Sequence, residues 1–315
     1  MASGMPIAEP TLAALPNPLL RYFLATRPPF LSVTLFAALL GLASAAHAGV
    51  TLAAGMAALT ILFALLAHAG INVLNDYYDD LNGTDRINEE RVFPFTGGSR
   101  FIQNGVLTRA QTARFGAALF LVTIAAGLWL AYRSGPGLVA TGAAGLAIGW
   151  AYSAPPLKLN SRALGEPCVT AGFLLIALGA DYVQRRTFDP APLAAALCYA
   201  LLVTDVLYIN QFPDRKADEA AGKRHWVVRL GAERARWGYG VIALIAYGAL
   251  AALAVAGNLP LLALAGLLAA PLSLRAAVLL VNNASRPQAL APAIRLTIAA
   301  ACLNGALVSL GLFLS

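Results

Sequence analysis

Long apolar stretches separated by connections of different length run through almost the whole chain. Each stretch contains roughly the 20 residues that an α-helix needs to cross the hydrocarbon core of a bilayer. The stretches are continuously apolar, whereas the strands of a transmembrane β-barrel alternate polar and apolar residues. We therefore predict an all-α polytopic membrane protein with nine transmembrane helices, over residues 29–46, 52–75, 113–132, 137–153, 165–182, 191–212, 236–256, 259–280 and 293–314.

The connections between these predicted helices differ in length and charge. Those over residues 76–112 and 213–235 are long and polar, and connections of this length in a compact protein are often functional. We expect both to carry short helices that cap a cavity. The chain is 59% hydrophobic and only 12% charged, which leaves no segment for a separate soluble domain. We predict a single membrane domain over residues 1–315, with an N-terminal arm at residues 1–26.

The positive charges are distributed unevenly between the two sides of the predicted bundle. A net charge of +7 would suggest nucleic-acid binding in a soluble protein, but Lys and Arg also gather in the cytoplasmic loops of membrane proteins. A cytoplasmic N-terminus puts 19 of the 22 Lys and Arg residues on that side. We therefore expect the N-terminus and both long connections inside, the C-terminus outside, and no nucleic-acid partner. The excess of Arg over Lys suits a GC-rich bacterium, so the expected location is the bacterial inner membrane.

Two clusters of acidic residues follow apolar stretches on the predicted cytoplasmic side. The first contains Asn75, Asp76, Asp79, Asp80 and Asp85, and the second contains Asn210, Asp214 and Asp218. Carboxylates at the edge of a membrane are costly and usually mark a function. Each cluster has an Asn followed by an Asp four residues later, and such a pair shares one face of a helix.

Two helical faces are possible in the first cluster. One presents Asn75 and Asp79, and the other presents Asn72, Asp76 and Asp80. We favour the face with Asn75 and Asp79, followed by Asp85, because it matches the regular spacing of the second cluster. Within that second cluster, Pro213 is expected to disturb the local backbone.

Paired carboxylates on one side of a membrane suit a site for Mg²⁺. This ion prefers oxygen ligands and is commonly held by one or two carboxylates together with substrate phosphates. Bound ions would neutralise the charge that develops on a departing diphosphate. The basic residues on the same side that would complete the site are Arg27, Lys158, Lys223 and Arg224. Because such a site adjoins apolar helices, we expect a substrate with a diphosphate head and a long hydrocarbon tail in the lipid bilayer.

Other titratable residues have alternative explanations. Asp76 and Asp80 are equally compatible with solvated loop charges. Asp205 lies inside a predicted span, where it either pairs with a polar group or lines the cavity. Asp181 is expected to form an ion pair with the nearby Arg185. No zinc site is expected, because the histidines have no metal-ligand spacing; they are His47, His68 and His225.

The acidic clusters and several flanking segments resemble motifs of the UbiA superfamily of intramembrane prenyltransferases. The resemblance is carried by Arg27-Pro28, Asn75-Asp76-Tyr77-Tyr78-Asp79, Gly83-Thr84-Asp85, Thr96-Gly97-Gly98-Ser99, Tyr152-Ser153-Ala154-Pro155-Pro156-Leu157-Lys158, Asn210-Gln211-Phe212-Pro213-Asp214, Asp218 and Gly222-Lys223-Arg224. The spacing to Asp85 and the Thr96–Ser99 segment are most similar to the 1,4-dihydroxy-2-naphthoate branch, which serves menaquinone and phylloquinone synthesis.

This resemblance implies a bundle of nine helices around a central cavity that opens sideways to lipid. It implies that Mg²⁺ and a diphosphate are held by Asn75, Asp79, Asp85, Asn210, Asp214 and Asp218, with Tyr152 and Lys158 contacting the diphosphate and Arg27, Lys223 and Arg224 assisting. The implied activity transfers a polyprenyl group from an isoprenyl diphosphate to a small aromatic acceptor, a quinone precursor such as 1,4-dihydroxy-2-naphthoate. The implied catalytic residues are Asp79, Asp214, Lys158 and Tyr152.

Alternative functions differ in the acceptor or in the class of protein. The segment Gln211-Phe212-Pro213 departs from the Asn-x-Arg that the naphthoate enzymes commonly carry before the Asp. Acceptors such as 4-hydroxybenzoate, a porphyrin or a glycerol-phosphate lipid therefore remain open, as does cyclisation of the prenyl chain without an acceptor. A cation-coupled transporter is less compatible with the sequence, because transporters place ionisable groups near the membrane midplane and both clusters here lie at one edge.

Overall fold

The computed structural model describes residues 8–315 and contains no β-strand among them. The helices form from stretches rich in alanine and leucine, which favour helix formation. The α-helices are α1 (Pro18–Ala25), α2 (Pro28–His47), α3 (Ala54–Asn82), α4 (Thr84–Ile87), α5 (Arg109–Ser134), α6 (Gly137–Ser153), α7 (Gly165–Arg185), α8 (Ala191–Ala220), α9 (Trp226–Leu230), α10 (Ala232–Val255), α11 (Ala270–Asn283) and α12 (Ala291–Phe313). Segments of 3₁₀-helix connect or extend them at Leu159–Arg162, Leu261–Ala269 and Pro287–Leu290.

Each predicted transmembrane span corresponds to helical structure. Eight helical segments of the described chain are long and apolar enough to cross a membrane. A ninth, α6, has 17 residues, which is at the lower end of the range for a transmembrane helix. The span predicted over residues 259–280 begins as 3₁₀-helix at Leu261 and continues through α11 to Asn283. The prediction of an all-α membrane protein is confirmed, with nine helices as an approximate count.

The helices α3 and α8 continue beyond the ends that hydropathy predicts. Helix α3 extends to Asn82 and is followed by Gly83, whose φ of 87° is a conformation that glycine adopts readily. Helix α8 extends to Ala220 and continues through Pro213. The two long connections therefore begin later than residues 76 and 213, because hydropathy marks only the apolar part of each helix.

The long connections and the N-terminal arm have some structure of their own. The short helix α4 lies in the first connection and α9 lies in the second. A capping box between Thr108 and Gln111 starts α5 at the end of the first connection and satisfies backbone N–H groups that the helix leaves free. Residues 1–7 of the predicted arm lie outside the described residues.

Helix α8 is the central element of the bundle. It packs against α2, α7, α10 and α12, and its buried side chains join a large apolar cluster with theirs. On one side of α8, the helices α2, α3, α5, α6 and α7 surround a cavity. On the other side, α10, α11 and α12 pack together and contribute no lining residue to that cavity.

Candidate active site

The cavity has a volume of about 750 Å³, which is within the usual range for small-molecule sites. Its wall is mostly apolar and includes Phe30, Phe63 and Phe173. Most of the charged lining residues come from the C-terminal ends of α3 and α8 and from the connections after them, whereas Arg27 precedes α2 and Tyr152 belongs to α6. The lining residues that the sequence predicted are Arg27, Asn75, Asp79, Asp85, Tyr152, Asn210, Asp214, Asp218 and Lys223. The fold therefore brings residues that are far apart in the sequence to one cavity.

Lys223 joins the two acidic clusters. Its Nζ lies 3.0 Å from Asp79 Oδ1 and 2.9 Å from Asp218 Oδ1. Burial alone would lower the pKa of the Lys223 ammonium group, but the carboxylates of Asp218 and Asp79 hold that pKa well above its ordinary value. Lys223 is therefore charged and compensates two carboxylates that would otherwise repel each other.

The favoured face of the first cluster points into the cavity. Asn75 Nδ2 donates to Asp79 Oδ2 at 3.1 Å and to Ser153 Oγ at 2.9 Å. Asn82 Nδ2 donates to Asp79 Oδ1 at 3.1 Å. Because both amide hydrogens of Asn75 are used, its Oδ1 is left as an oxygen ligand for a cation.

Asp76, on the other face of α3, is buried and paired rather than solvated. It accepts from the guanidinium of Arg27 and, at 3.3 Å, from the backbone N–H of Ser99. The first connection folds back against α3 and removes Asp76 from water, which sequence spacing does not reveal. The Arg27–Asp76 pair thus places a cation in the cavity wall.

Asp80 is also buried and paired, so the solvated-charge interpretation is wrong for both residues. Its Oδ1 lies 3.0 Å from Arg86 Nε, and its Oδ2 lies 2.6 Å from Arg109 Nε. Asp80 does not line the cavity. It ties the end of α3 to the first connection and to the start of α5.

The first connection contacts the second acidic cluster through Asn88 and Asp214. Asn88, three residues after Asp85, donates from Nδ2 to Asp214 Oδ1 at 2.6 Å. Burial and the neighbouring Asp79 carboxylate raise the pKa of Asp85 to about 7. A nearby cation would reverse that shift, because it favours the ionised carboxylate.

The donor atoms of this site suit a hard cation that also binds substrate oxygens. Asp85 Oδ2 and Asn210 Oδ1 are buried and have no hydrogen-bond partner among the described residues. Buried polar atoms normally have partners, so these two oxygens are available as ligands. Among the described residues, no three His, Cys, Asp or Glu side chains are grouped so as to hold a metal ion by themselves. A Mg²⁺ ion here would need further oxygens from a ligand, as it commonly does.

Two predicted site residues lie elsewhere in this structure. Lys158 and Arg224 are not among the lining residues of the cavity. The Arg224 side chain is 57% exposed, and its Nη1 lies 3.9 Å from Glu219 Oε1. The cavity wall therefore does not include these two cations.

Two further carboxylates are clarified by the structure. Asp205 is fully buried on α8, both of its carboxyl oxygens lack a partner among the described residues, and it does not line the cavity. Asp181 is paired with Arg185 at 2.8 and 2.9 Å, as predicted.

Sequence reasoning missed two polar residues that support the site. Ser153 accepts from Asn75, and Asn88 donates to Asp214. Ser153 follows Tyr152 directly, so its place in the same motif was a usable signal. Asn88 lies in a connection without regular spacing, and its contact with a residue 126 positions away depends on the fold of that connection.

The sequence matches the model of the UbiA prenyltransferase family over residues 34–302. The chain belongs to the UbiA prenyltransferase family. This UbiA protein is 36% identical over 247 residues to the 1,4-dihydroxy-2-naphthoate octaprenyltransferase of Mycobacterium tuberculosis, with 75% of this chain and 77% of that protein covered. It is 30% identical to the Escherichia coli protein of the same name, with 82% of this chain and 84% of that protein covered.

A solved structure of a UbiA homologue from Archaeoglobus fulgidus bound to GPP and Mg²⁺ has the same fold. Its TM-score is 0.59 at 18% identity, and the match covers 92% of this chain and 99% of that chain. The family match and the named relatives establish that the protein is a prenyltransferase. Its apolar helices and these neighbours establish that it is an integral membrane protein.

Proposed function

We propose that this UbiA protein transfers a polyprenyl group from an isoprenyl diphosphate to 1,4-dihydroxy-2-naphthoate, and that Mg²⁺ is required. The observation that carries the proposal is the meeting of both acidic clusters at the polar end of an apolar cavity, with Lys223 between them. The relatives named as 1,4-dihydroxy-2-naphthoate octaprenyltransferases, similar over most of the chain, support this acceptor.

The oxygen donors of the two clusters would hold the metal. They are Asn75, Asp79, Asp85, Asn210, Asp214 and Asp218, and the free oxygens of Asp85 and Asn210 support this assignment. Bound Mg²⁺ supplies positive charge to the departing diphosphate. The homologue bound to GPP and Mg²⁺ supports the same pairing of ion and diphosphate in this chain.

The chain's own cations would complete the diphosphate site. Lys223 can exchange its carboxylate contacts for diphosphate oxygens, and Arg27 has a buried Nε without a partner among the described residues. Tyr152 lines the same cavity and has a hydroxyl that can donate to a phosphate oxygen. Lys158 and Arg224 would reach a diphosphate only after their side chains rearrange.

The apolar wall would hold the prenyl tail and exclude water from the prenyl carbocation that forms when the diphosphate leaves. Ionisation breaks the C1–O bond, and the electron pair leaves with the diphosphate. A ring carbon of the acceptor then forms the new C–C bond to C1. With 1,4-dihydroxy-2-naphthoate the product carries the prenyl group and lacks the ring carboxylate, which leaves as carbon dioxide.

The site is tested with Asp79→Asn and Asp214→Asn, assayed in nanodiscs with a polyprenyl diphosphate, Mg²⁺ and the naphthoate. Both changes remove a charge that would bind the metal, so we expect kcat/KM to fall at least about a hundredfold in each variant, equivalent to about 2.7 kcal/mol. Asp189→Asn is the matched control, because Asp189 is 36% exposed and pairs with Arg185 at 3.5 Å, away from the cavity. Full activity in both site variants would refute the proposed site.

The acceptor is tested by the mass of the product. We expect the decarboxylated prenyl-naphthalene product with 1,4-dihydroxy-2-naphthoate and little product with 4-hydroxybenzoate. A prenylated benzoate as the main product, or a prenyl-derived product without any acceptor, would contradict the acceptor assignment and leave prenyl transfer intact.

The orientation in the membrane is also a proposal. We place the N-terminus and both acidic clusters in the cytoplasm of a bacterial cell, because 19 of the 22 Lys and Arg residues then lie inside. Labelling of single cysteines from outside the cell should modify a cysteine at Asp189 and spare one at Glu90. The opposite pattern would reverse the orientation.

A further inference from the structure

His68 lies in the apolar part of the cavity wall, and the diphosphate site does not use it. It precedes Asn75 by seven residues on α3. Seven residues of α-helix rise about 10.5 Å and return to nearly the same face. His68 therefore faces the same cavity as Asn75, farther from the acidic clusters, where Phe30 and Phe173 also contribute to the wall.

Thr34 holds the His68 ring. Thr34 Oγ1 lies 2.7 Å from His68 Nδ1, and Thr34 is fully buried. The hydroxyl has no other hydrogen-bond partner among the described residues, and a buried hydroxyl needs an acceptor for its proton. We therefore assign Thr34 as the donor and Nδ1 as the acceptor, which leaves the proton of the neutral ring on Nε2.

The Nε2–H group of His68 is open to the cavity. It has no hydrogen-bond partner in the described part of the chain, and it is not among the enclosed unpaired atoms. A hydrocarbon tail cannot accept a hydrogen bond from it, and an unpaired donor in an apolar wall is unfavourable. An oxygen atom on an aromatic ring could accept this hydrogen bond.

The surroundings of His68 fit a flat aromatic ring. Phe173 stands almost perpendicular to the imidazole, with an interplanar angle of 88° and ring centroids 5.9 Å apart. Aromatic rings favour such edge contacts and offset stacking, so the pair forms a corner that can hold a third ring. An acceptor that reaches the reacting carbon of a prenyl diphosphate must lie on this side of the acidic clusters, because the hydrocarbon extends from the diphosphate into the apolar part.

We propose that His68, oriented by Thr34, donates a hydrogen bond from Nε2 to a hydroxyl or phenolate oxygen of the aromatic acceptor. The contact selects hydroxylated rings and fixes the orientation of the ring toward the prenyl group. This inference rests on the proposed function, because it presumes an aromatic acceptor. No proton is transferred by His68 in this role.

The first test uses His68→Leu, His68→Gln and Thr34→Val. We expect His68→Leu to raise the acceptor KM about tenfold, the effect of one hydrogen bond between neutral groups. The KM for the prenyl diphosphate should stay within about twofold. His68→Gln has an amide N–H donor and should recover part of the acceptor affinity. Thr34→Val should reduce the acceptor affinity less than His68→Leu does, because it removes only the hydrogen bond that orients the imidazole ring.

Two matched controls separate this role from general damage to the fold. His47→Leu changes an exposed histidine at the end of α2. Thr112→Val changes a buried threonine of α5 that donates to Thr108 O at 3.1 Å. Both controls should leave the KM values of the two substrates unchanged.

A second readout needs no turnover and uses two forms of the acceptor. Equilibrium binding of the hydroxynaphthoate and of an analogue with hydrogen in place of the hydroxyl is measured for wild type and His68→Leu. Wild type should prefer the free hydroxyl about tenfold, and His68→Leu should bind the two equally. Unchanged preference in His68→Leu, or an equal loss of prenyl diphosphate affinity, would overturn the inference and leave the proposed function standing. If wild type binds the acceptor but forms no prenylated product, the proposed function fails and the His68 contact stands only as a ligand site.

Discussion

Lys223→Met should expose the repulsion between the two acidic clusters. The change removes the ammonium group from contacts of 3.0 Å with Asp79 and 2.9 Å with Asp218 and keeps a side chain of similar length. Each contact is a gross attraction of about 5 to 6 kcal/mol at an effective dielectric constant of 20. The side chain of Lys223 is only 9% exposed, so water cannot replace the lost charge. Breaking a buried pair in this way costs about 3–5 kcal/mol net.

The same change should make the clusters bind Mg²⁺ more tightly in the absence of substrate. The freed carboxylates are the ligands that the ion prefers. A bound ion stabilises the folded protein by RT ln(1 + [Mg²⁺]/Kd), or about 1.4 kcal/mol at ten times Kd. We therefore expect Lys223→Met to unfold at a lower temperature than wild type without Mg²⁺ and to regain more stability than wild type when Mg²⁺ is added.

The assay is thermal unfolding in detergent, followed by the loss of soluble protein, with and without millimolar Mg²⁺. Lys223→Arg keeps the charge and should respond like wild type. Lys216→Met is the matched control, because Lys216 is 65% exposed in its pair with Glu90, and exposed pairs contribute little. If Mg²⁺ stabilises Lys223→Met no more than wild type, the two carboxylates do not form one cation site.

Three other perturbations test the site and the packing. Because the pKa of Asp85 is raised to about 7, this carboxyl group must lose a proton before it binds a metal. The Mg²⁺ concentration that gives half-maximal activity should therefore decrease as the pH rises from about 6 to about 8. Asp85→Asn should weaken this dependence on pH. Asn88→Ala removes the 2.6 Å hydrogen bond to Asp214 and should lower kcat/KM about ten- to a hundredfold, whereas unchanged kinetics would exclude a supporting role. Gly41→Val would push a side chain into the backbone of α7 at Ala177 and should cost about 1–3 kcal/mol; Gly55→Ala, with open space around it, should be neutral in the same unfolding assay.

Hydropathy was sufficient to predict the membrane fold but not the ends of its helices. The predicted spans matched the helices because a bilayer-spanning helix must be apolar along its length. The extension of α3 to Asn82 and of α8 to Ala220 was missed for the same reason, because their last turns are polar. Those turns carry Asp79 and Asp218, so the helix ends were predicted wrongly at the residues of the candidate site.

The candidate site was predictable where its residues repeat at helical spacing. Asn75 and Asp79 could be assigned to one face because α3 continues through them. The burial of Asp76 against Arg27 could not be predicted, since the two residues are 49 positions apart and meet only when the first connection folds back. His68 was considered only as a zinc ligand, although its distance of seven residues from Asn75 placed it on the same face.

The claim that both acidic clusters form one metal–diphosphate site is tested most directly by a double-mutant cycle. Mg²⁺-dependent binding of a non-reactive prenyl thiolodiphosphate is measured by calorimetry for wild type, Asp79→Asn, Asp214→Asn and the double variant. Residues that act as one unit give strongly non-additive losses. We predict that each single change removes nearly as much binding free energy as both together. Two independent losses that add in the double variant would contradict a shared site.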